Sequence, residues 1–349
     1  MTEMPLQSEP LEIQARPAGR MPWSVFGYAL LMAFMFLPPV AMFLPATIFN
    51  CDIRNGRRRT WLVFAIAITF VGLGLSATAF NYPGAIPEDL RLTYAYLAAE
   101  ALALALPAML VLPLLERRAS FGTVLVTALL VAIPGAAVTE IGSRTLLHCS
   151  LYSNEVAQFE QTKAEVIARY QHTPSIPSEA VDGVRRVFGM LSGFVPSFSV
   201  ISLIFFFMLS ILMFGRLRAW REFVRTREVS ASAGVYLFRN FALPEWLLFA
   251  FVISGLAPLA TGMLQKIASN VLVVVLFLYL LQGLAIFRSL MATIGINGIG
   301  LLFAFIMLGF LTLTAGIAPM LLTIAGLFDS FFDFRKFRRK DDSNESHTD

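Results

Sequence analysis

Residues 93–115 read TYAYLAAEALALALPAMLVLPLL, twenty-three positions with a single ionisable side chain inside the run, Glu100. At 1.5 Å per residue an α-helix of this length is about 35 Å long, enough to cross the roughly 30 Å hydrocarbon core of a bilayer. A soluble core helix has no use for so long an uncharged run. The rest of the chain repeats the pattern. Hydrophobic residues make up 57% of the 349 positions and charged residues 14%, and mean hydropathy is +0.71, a balance that suits lipid contact rather than a water-exposed surface.

Further apolar runs occupy 61–79, 120–139, 190–215, 244–264, 268–288 and about 294–332. The stretch 24–50 is apolar but carries Pro38-Pro39 and Pro45. Adjacent prolines remove two donors and clash with the preceding turn, so they break or sharply kink a helix. The reading is an all-α polytopic bundle of about 8–10 membrane segments, divided into a tail 1–22, transmembrane helices 23–139, a loop 140–187, transmembrane helices 188–334 and a tail 335–349.

Basic residues orient such a bundle, because loops rich in Lys and Arg stay cytoplasmic. Arg54, Arg57, Arg58 and Arg59 crowd one turn, Arg117 and Arg118 another, and six Arg fall within 216–243. Arg335, Lys336, Arg338, Arg339 and Lys340 follow the last run, and Arg16 and Arg20 precede the first. The acid-richer loops 80–92 and 140–187 then lie outside. With both of its ends inside, 24–50 has to enter and turn back near Pro38-Pro39. The same logic asks for a second hairpin in 294–332, turning near 312–316, with both termini cytoplasmic. The N-terminal 20 residues are mostly polar and do not read as a cleavable signal.

In the external loop, residues 153–171 place Val156, Phe159, Val166, Ile167 and Tyr170 on one helical face, with Ser153 as the expected N-cap. Such an amphipathic helix lies on the membrane surface or caps the mouth of the bundle. The inside loop 216–243 mixes its arginines with Trp220, Phe223, Tyr236 and Phe238. That mixture suits a headgroup anchor or a docking site, with Arg218, Arg221 and Arg225 as partner contacts.

Charge and motif exclude several function classes. The net charge of +4 is spread over helix-flanking clusters, so no nucleic acid is expected as partner. Cys51 and Cys149 fall on opposite sides and should not pair. The three histidines are scattered, so neither a metal nor another cofactor is expected. There is no P-loop and no H-E-x-x-H pattern, and nothing indicates an enzyme.

An ionisable group within a span is a functional candidate by default. Glu100 is the leading one, with Tyr96 one helical turn away and Tyr94 nearer the outer boundary. The alternative for Glu100 is a partner at that boundary, Lys266, Arg144 or water. Asn270 and Gln282 are uncharged and suit bonds between helices, although Gln282 also stands with Glu100, Tyr94 and Tyr96 among the ligand-binding candidates. Ala29-x-x-x-Ala33 is a small-residue spacing that lets helices approach closely.

The C-terminal third resembles the YybS-like family of bacterial multi-pass membrane proteins. The resemblance is carried by Phe238-Arg239-Asn240-Phe241, Leu243-Pro244-Glu245-Trp246, Asn270, Tyr279-Leu-Leu-Gln282-Gly283 and Gly326-Leu-Phe-Asp329-Ser-Phe-Phe-Asp333-Phe-Arg335. It implies a bacterial inner-membrane protein. That family is distantly similar to the substrate-binding S components of energy-coupling-factor transporters. These hold a small molecule near the outer face and dock on a membrane coupling subunit that works with a separate ATPase. By that resemblance Ala29 and Ala33 are docking residues, though Leu37 stands where a third alanine would fall. The expected function is a substrate-binding component for small-molecule uptake, its ligand unidentified; the alternative is a scaffold that recruits envelope or membrane-complex partners.

Overall fold

A computed structural model describes residues 23–37, 40–80, 87–117, 119–171, 178–216, 236–296, 298–315 and 317–332. Among these residues the structure is helical and contains no strand. Helix α1 (Trp23–Met35) is followed by a 3-10 turn (Val40–Phe43), α2 (Leu44–Asn55) and α3 (Arg57–Phe80). A long rod follows: α4 (Glu88–Glu100), a π-turn (Ala101–Ala105) and α5 (Leu106–Glu116). Next comes α6 (Phe121–Gly142), which runs into a second π-turn (Ser143–Leu147). Helices α7 (Leu151–Gln171), α8 (Ser178–Leu191) and α9 (Val195–Arg216) precede α10 (Leu247–Gly255), α11 (Gly262–Thr293), α12 (Ile299–Ala315) and α13 (Ile317–Phe332).

Among the described residues, four helical rods are long and apolar enough to cross a membrane: Glu88–Leu115, Phe121–Leu147, Glu179–Arg216 and Gly262–Thr293. Shorter apolar helices occupy Val25–Met35, Leu247–Leu259 and Ile317–Phe332. The all-α membrane bundle expected from hydropathy is therefore what forms. Its exterior is lipid-like, with Leu130, Ile141, Phe249 and Ile306 all more than half exposed.

Side-chain pairs fix the helix directions. Tyr28 of α1 accepts a hydrogen bond at 2.9 Å from the Asn50 amide of α2. Helix α1 therefore packs against α2 and, through Phe26 and Phe70, against α3; at 13 residues or about 20 Å it is too short to span. Met42 lies level with Ser210 and Phe49 with Phe214, so α2 runs parallel to α9. Ser197 meets Asn270 and Phe205 meets Phe277, so α9 and α11 are parallel as well. The turn of Arg54–Arg59, Arg117 and Arg216 consequently share one end of the bundle, and α7 marks the other. Gly56, at φ +80, closes α2 in a conformation that β-carbons disfavour and lets α3 start at once.

Helix α13 runs antiparallel to α11. A β-carbon on Gly283 would lie 1.9 Å from the Leu322 carbonyl oxygen, and one on Gly326 would lie 2.0 Å from the Tyr279 oxygen. The chain therefore changes ends once between Thr293 and Phe332. The second hairpin expected in 294–332 would change them twice. Gly316, in the expected turn, lies outside the described residues; α13 packs through Gly326 against the arginine-end half of α11 and heads toward the α7 end. A topology reporter fused at the C-terminus is thus expected on the side of a Ser153 reporter. A reading on the side of an Arg58 reporter would mean that α13 packs differently in the bilayer.

Two local expectations are corrected. The N-cap of α7 is Ser150 rather than Ser153: the Ser153 N–H donates to Ser150 Oγ at 3.0 Å, and the helix starts two residues earlier. The end of loop 216–243 is not a surface anchor. Tyr236 and Phe241 are buried against Phe121, and the Tyr236 hydroxyl donates to the Ala119 carbonyl at 3.3 Å. Cys51 and Cys149 are free thiols in separate apolar clusters.

Candidate functional site

The rod 88–116 changes helical pitch at Glu100. Pro107 lies two residues beyond the π-turn Ala101–Ala105; it has no N–H, and its ring presses on the carbonyl four residues earlier, that of Ala103. Widening the helix by a residue relieves that clash, and π-turns of this kind recur at functional sites. Helix α6 packs directly on the widened turn. A β-carbon on Gly135 would come within 2.5 Å of the Leu102 carbonyl, so only glycine admits this approach. Helices α2 and α9 touch the same turn.

Glu100 closes α4 at this junction. Its Oε2 is shielded from solvent and has no hydrogen-bond partner. The boundary partners expected for it are engaged elsewhere or absent: Arg144 pairs with Glu140, and no ion pair joins Glu100 to Lys266 among the described residues. A buried carboxylate oxygen without a partner carries a desolvation cost of roughly 1–3 kcal/mol or more. That cost is removed by a proton, a cation or a donor from a bound molecule.

Tyr96, one turn nearer the α7 end, accepts a hydrogen bond from the Asn154 amide of α7 at 2.9 Å. It packs with Leu92, Ala95, Ala99, Leu147, Cys149 and Leu151 in a small cluster separate from the main core. Tyr94 is half-buried on α4 and makes its own contacts. Gln282 is elsewhere in the bundle. It is 2% exposed; its Oε1 accepts the Leu243 N–H at 3.1 Å and its Nε2 donates to Asp329 at 3.0 Å. Both ends of the amide hold α11 to its neighbours.

The small-residue motif in α1 faces inward. Ala29 is fully buried and Ala33 half-buried against the core. The outward face of α1 carries Phe26, Leu30 and Phe34. Arg218, Arg221 and Arg225 lie outside the described residues.

Sequence reading misses Glu140. Its Oε1 accepts from Ser150 Oγ at 2.6 Å and from Arg144, and its Oε2 accepts the Tyr152 N–H at 3.1 Å. Glu140 thereby caps α7 from another helix, a role with no sequence-local signature. Glu155 of α7 accepts from Ser199 Oγ of α9 at 2.6 Å.

A family model described as "Predicted membrane protein (DUF2232)" matches residues 90–330, a range that takes in the rod bearing Glu100 and every later helix but the last two residues of α13. No curated protein and no solved structure matches the chain.

Proposed function

The chain belongs to the DUF2232 family of predicted membrane proteins, and from that premise we propose that it is a substrate-binding membrane component that takes a small molecule at Glu100 and supports its uptake. The observation that carries this reading is the unpartnered, shielded Glu100 oxygen at a widened turn where α2, α6 and α9 converge. Ligands of the matching chemistry are cations or neutral molecules with a strong hydrogen-bond donor. The resemblance to S components supports the same reading and adds a separate coupling subunit with an ATPase. In the orientation set by the basic turns, the arginine end faces the cytoplasm of a bacterial inner membrane and Glu100 lies on the outward side of the π-turn. The second reading is the scaffold, favoured by the sequence of loop 216–243, which mixes six arginines with Trp220 and Phe223.

Purification in mild detergent followed by mass spectrometry of co-purifying proteins and small molecules tests both. A retained small molecule that is lost in Glu100→Gln supports the uptake reading. A molecule retained equally in the variant removes Glu100 from the site, and envelope proteins recovered with no small molecule favour the scaffold. Neutralising Arg218, Arg221 and Arg225 together then abolishes partner recovery on the scaffold reading and leaves it unchanged on the other.

A further inference from the structure

The first turn of α7 crosses the external ends of three helices and is tied to each by a different side chain. Glu140 at the end of α6 receives the Ser150 hydroxyl and the Tyr152 N–H. Tyr96 of α4 receives the Asn154 amide, and Glu155 receives the Ser199 hydroxyl of α9. Six consecutive residues, 150–155, therefore bridge the α4, α6 and α9 rods that also meet around the π-turn below. Glu100 lies four residues further along α4 than Tyr96, about 6 Å deeper on the same helix face. The remainder of α7 leaves the bundle and packs on α8, where Phe159 and Phe188 have ring centroids 5.7 Å apart.

The chain enters this turn through His148, whose φ of 52° is the only positive value at a non-glycine among the described residues. The π-turn Ser143–Leu147 precedes it. Left-handed backbone and a widened helical turn in succession form a joint, since neither is held by a regular helical ladder. The apolar packing under the bridge is slight: Ala95, Cys149 and Leu151 are its only buried members among the described residues. Polar ties therefore supply most of its hold, and each tie on its own contributes modestly.

We propose that residues 150–155 are an external gate over Glu100, hinged at His148 and held shut by the Glu140, Tyr96 and Ser199 ties. The gate rests on the reading of Glu100 as a ligand site, but its movement is measurable without a ligand. With Cys51→Ser and Cys149→Ser as background, Glu100→Cys in proteoliposomes should react slowly with a charged, membrane-impermeant methanethiosulfonate. Adding Asn154→Ala and Glu155→Ala, which cut the ties to α4 and α9, should raise the rate at least tenfold. An unchanged rate, rapid reaction with the gate intact, or no reaction in either protein would each overturn the gate. Hydrogen exchange on the unmodified chain gives a second test that needs no variant to fold. The amides of Tyr152 and Ser153, held by Glu140 and Ser150, should exchange far faster than the equivalently capped Thr123 amide in the first turn of α6, and equal protection would also sink the proposal. Failure of the gate leaves the effect of Glu100→Gln on ligand retention untouched, so the two readings fail separately.

Discussion

Gly283→Val abolishes the native bundle or sharply lowers its thermal midpoint in detergent. A β-carbon at this position would sit 1.9 Å from the Leu322 carbonyl oxygen, 2.6 Å from its carbonyl carbon and 3.0 Å from its Cα. All three are backbone atoms of α13, so no side-chain rotation relieves the overlap. Facing it, a β-carbon on Gly326 would meet the Tyr279 oxygen at 2.0 Å and the Gly283 nitrogen at 2.9 Å, so the two glycines form one crossing point. Accommodating a side chain means moving α13 outward by more than about an ångström along its length, given these overlaps. Ordinary overpacking of a core costs about 1–3 kcal/mol with local relaxation. Here a whole helix has to shift, and the 3.0 Å Gln282–Asp329 bond in the same interface is lost with it. The expected penalty is on the order of 3 kcal/mol or more, read as early melting in a detergent stability assay. Gly72→Val on α3 serves as the control, since a β-carbon there meets nothing within 4 Å. Equal stability of the two variants would show that α13 is not held by this crossing.

How much of this is legible in the sequence follows from how local each cause is. A membrane span is written in about twenty consecutive residues, so the long helices can be read directly. Charge also acts locally, and the arginines of three turns do gather at one end. Helix pairing is different. Nothing in the separation of Gly283 and Gly326 along the chain says that they meet, and the antiparallel course of α13 follows only from that contact. The same holds at the candidate site. Glu100 stands out because a carboxylate in an apolar run is costly wherever the run lies. Glu140 does not, because its use is the capping of α7, a turn and a loop further on, across a π-turn that no pattern announces. Ala29-x-x-x-Ala33 announces a close approach, but the spacing cannot say whether the neighbour is another chain or the same one.

The same distinction yields a pair of opposite outcomes for Gln282 and Glu100, the two most informative polar residues in the spans. Gln282→Leu keeps the volume but leaves the Leu243 N–H without its acceptor and takes a donor from Asp329, all within a buried interface. Stranding one buried amide costs about 1–3 kcal/mol, and a lost bond to a carboxylate adds about 1.5–3 kcal/mol. Melting should therefore fall by several degrees, while any co-purifying small molecule stays bound at a temperature where the variant is folded. Glu100→Gln should behave the other way. Its Oε2 has no bond to lose, and a neutral amide is cheaper to bury than a carboxylate, so stability should hold or rise. Ligand retention should nevertheless fall at least tenfold, because a charge-assisted bond is exchanged for a neutral one. A residue kept for the fold lowers stability when replaced, whereas a residue kept for a ligand lowers binding and spares stability. If Glu100→Gln melts early, the carboxylate is holding the junction of α4 and α6 together and the ligand has to be sought elsewhere. If Gln282→Leu sheds the small molecule while remaining folded, the site extends to the α11–α13 interface instead.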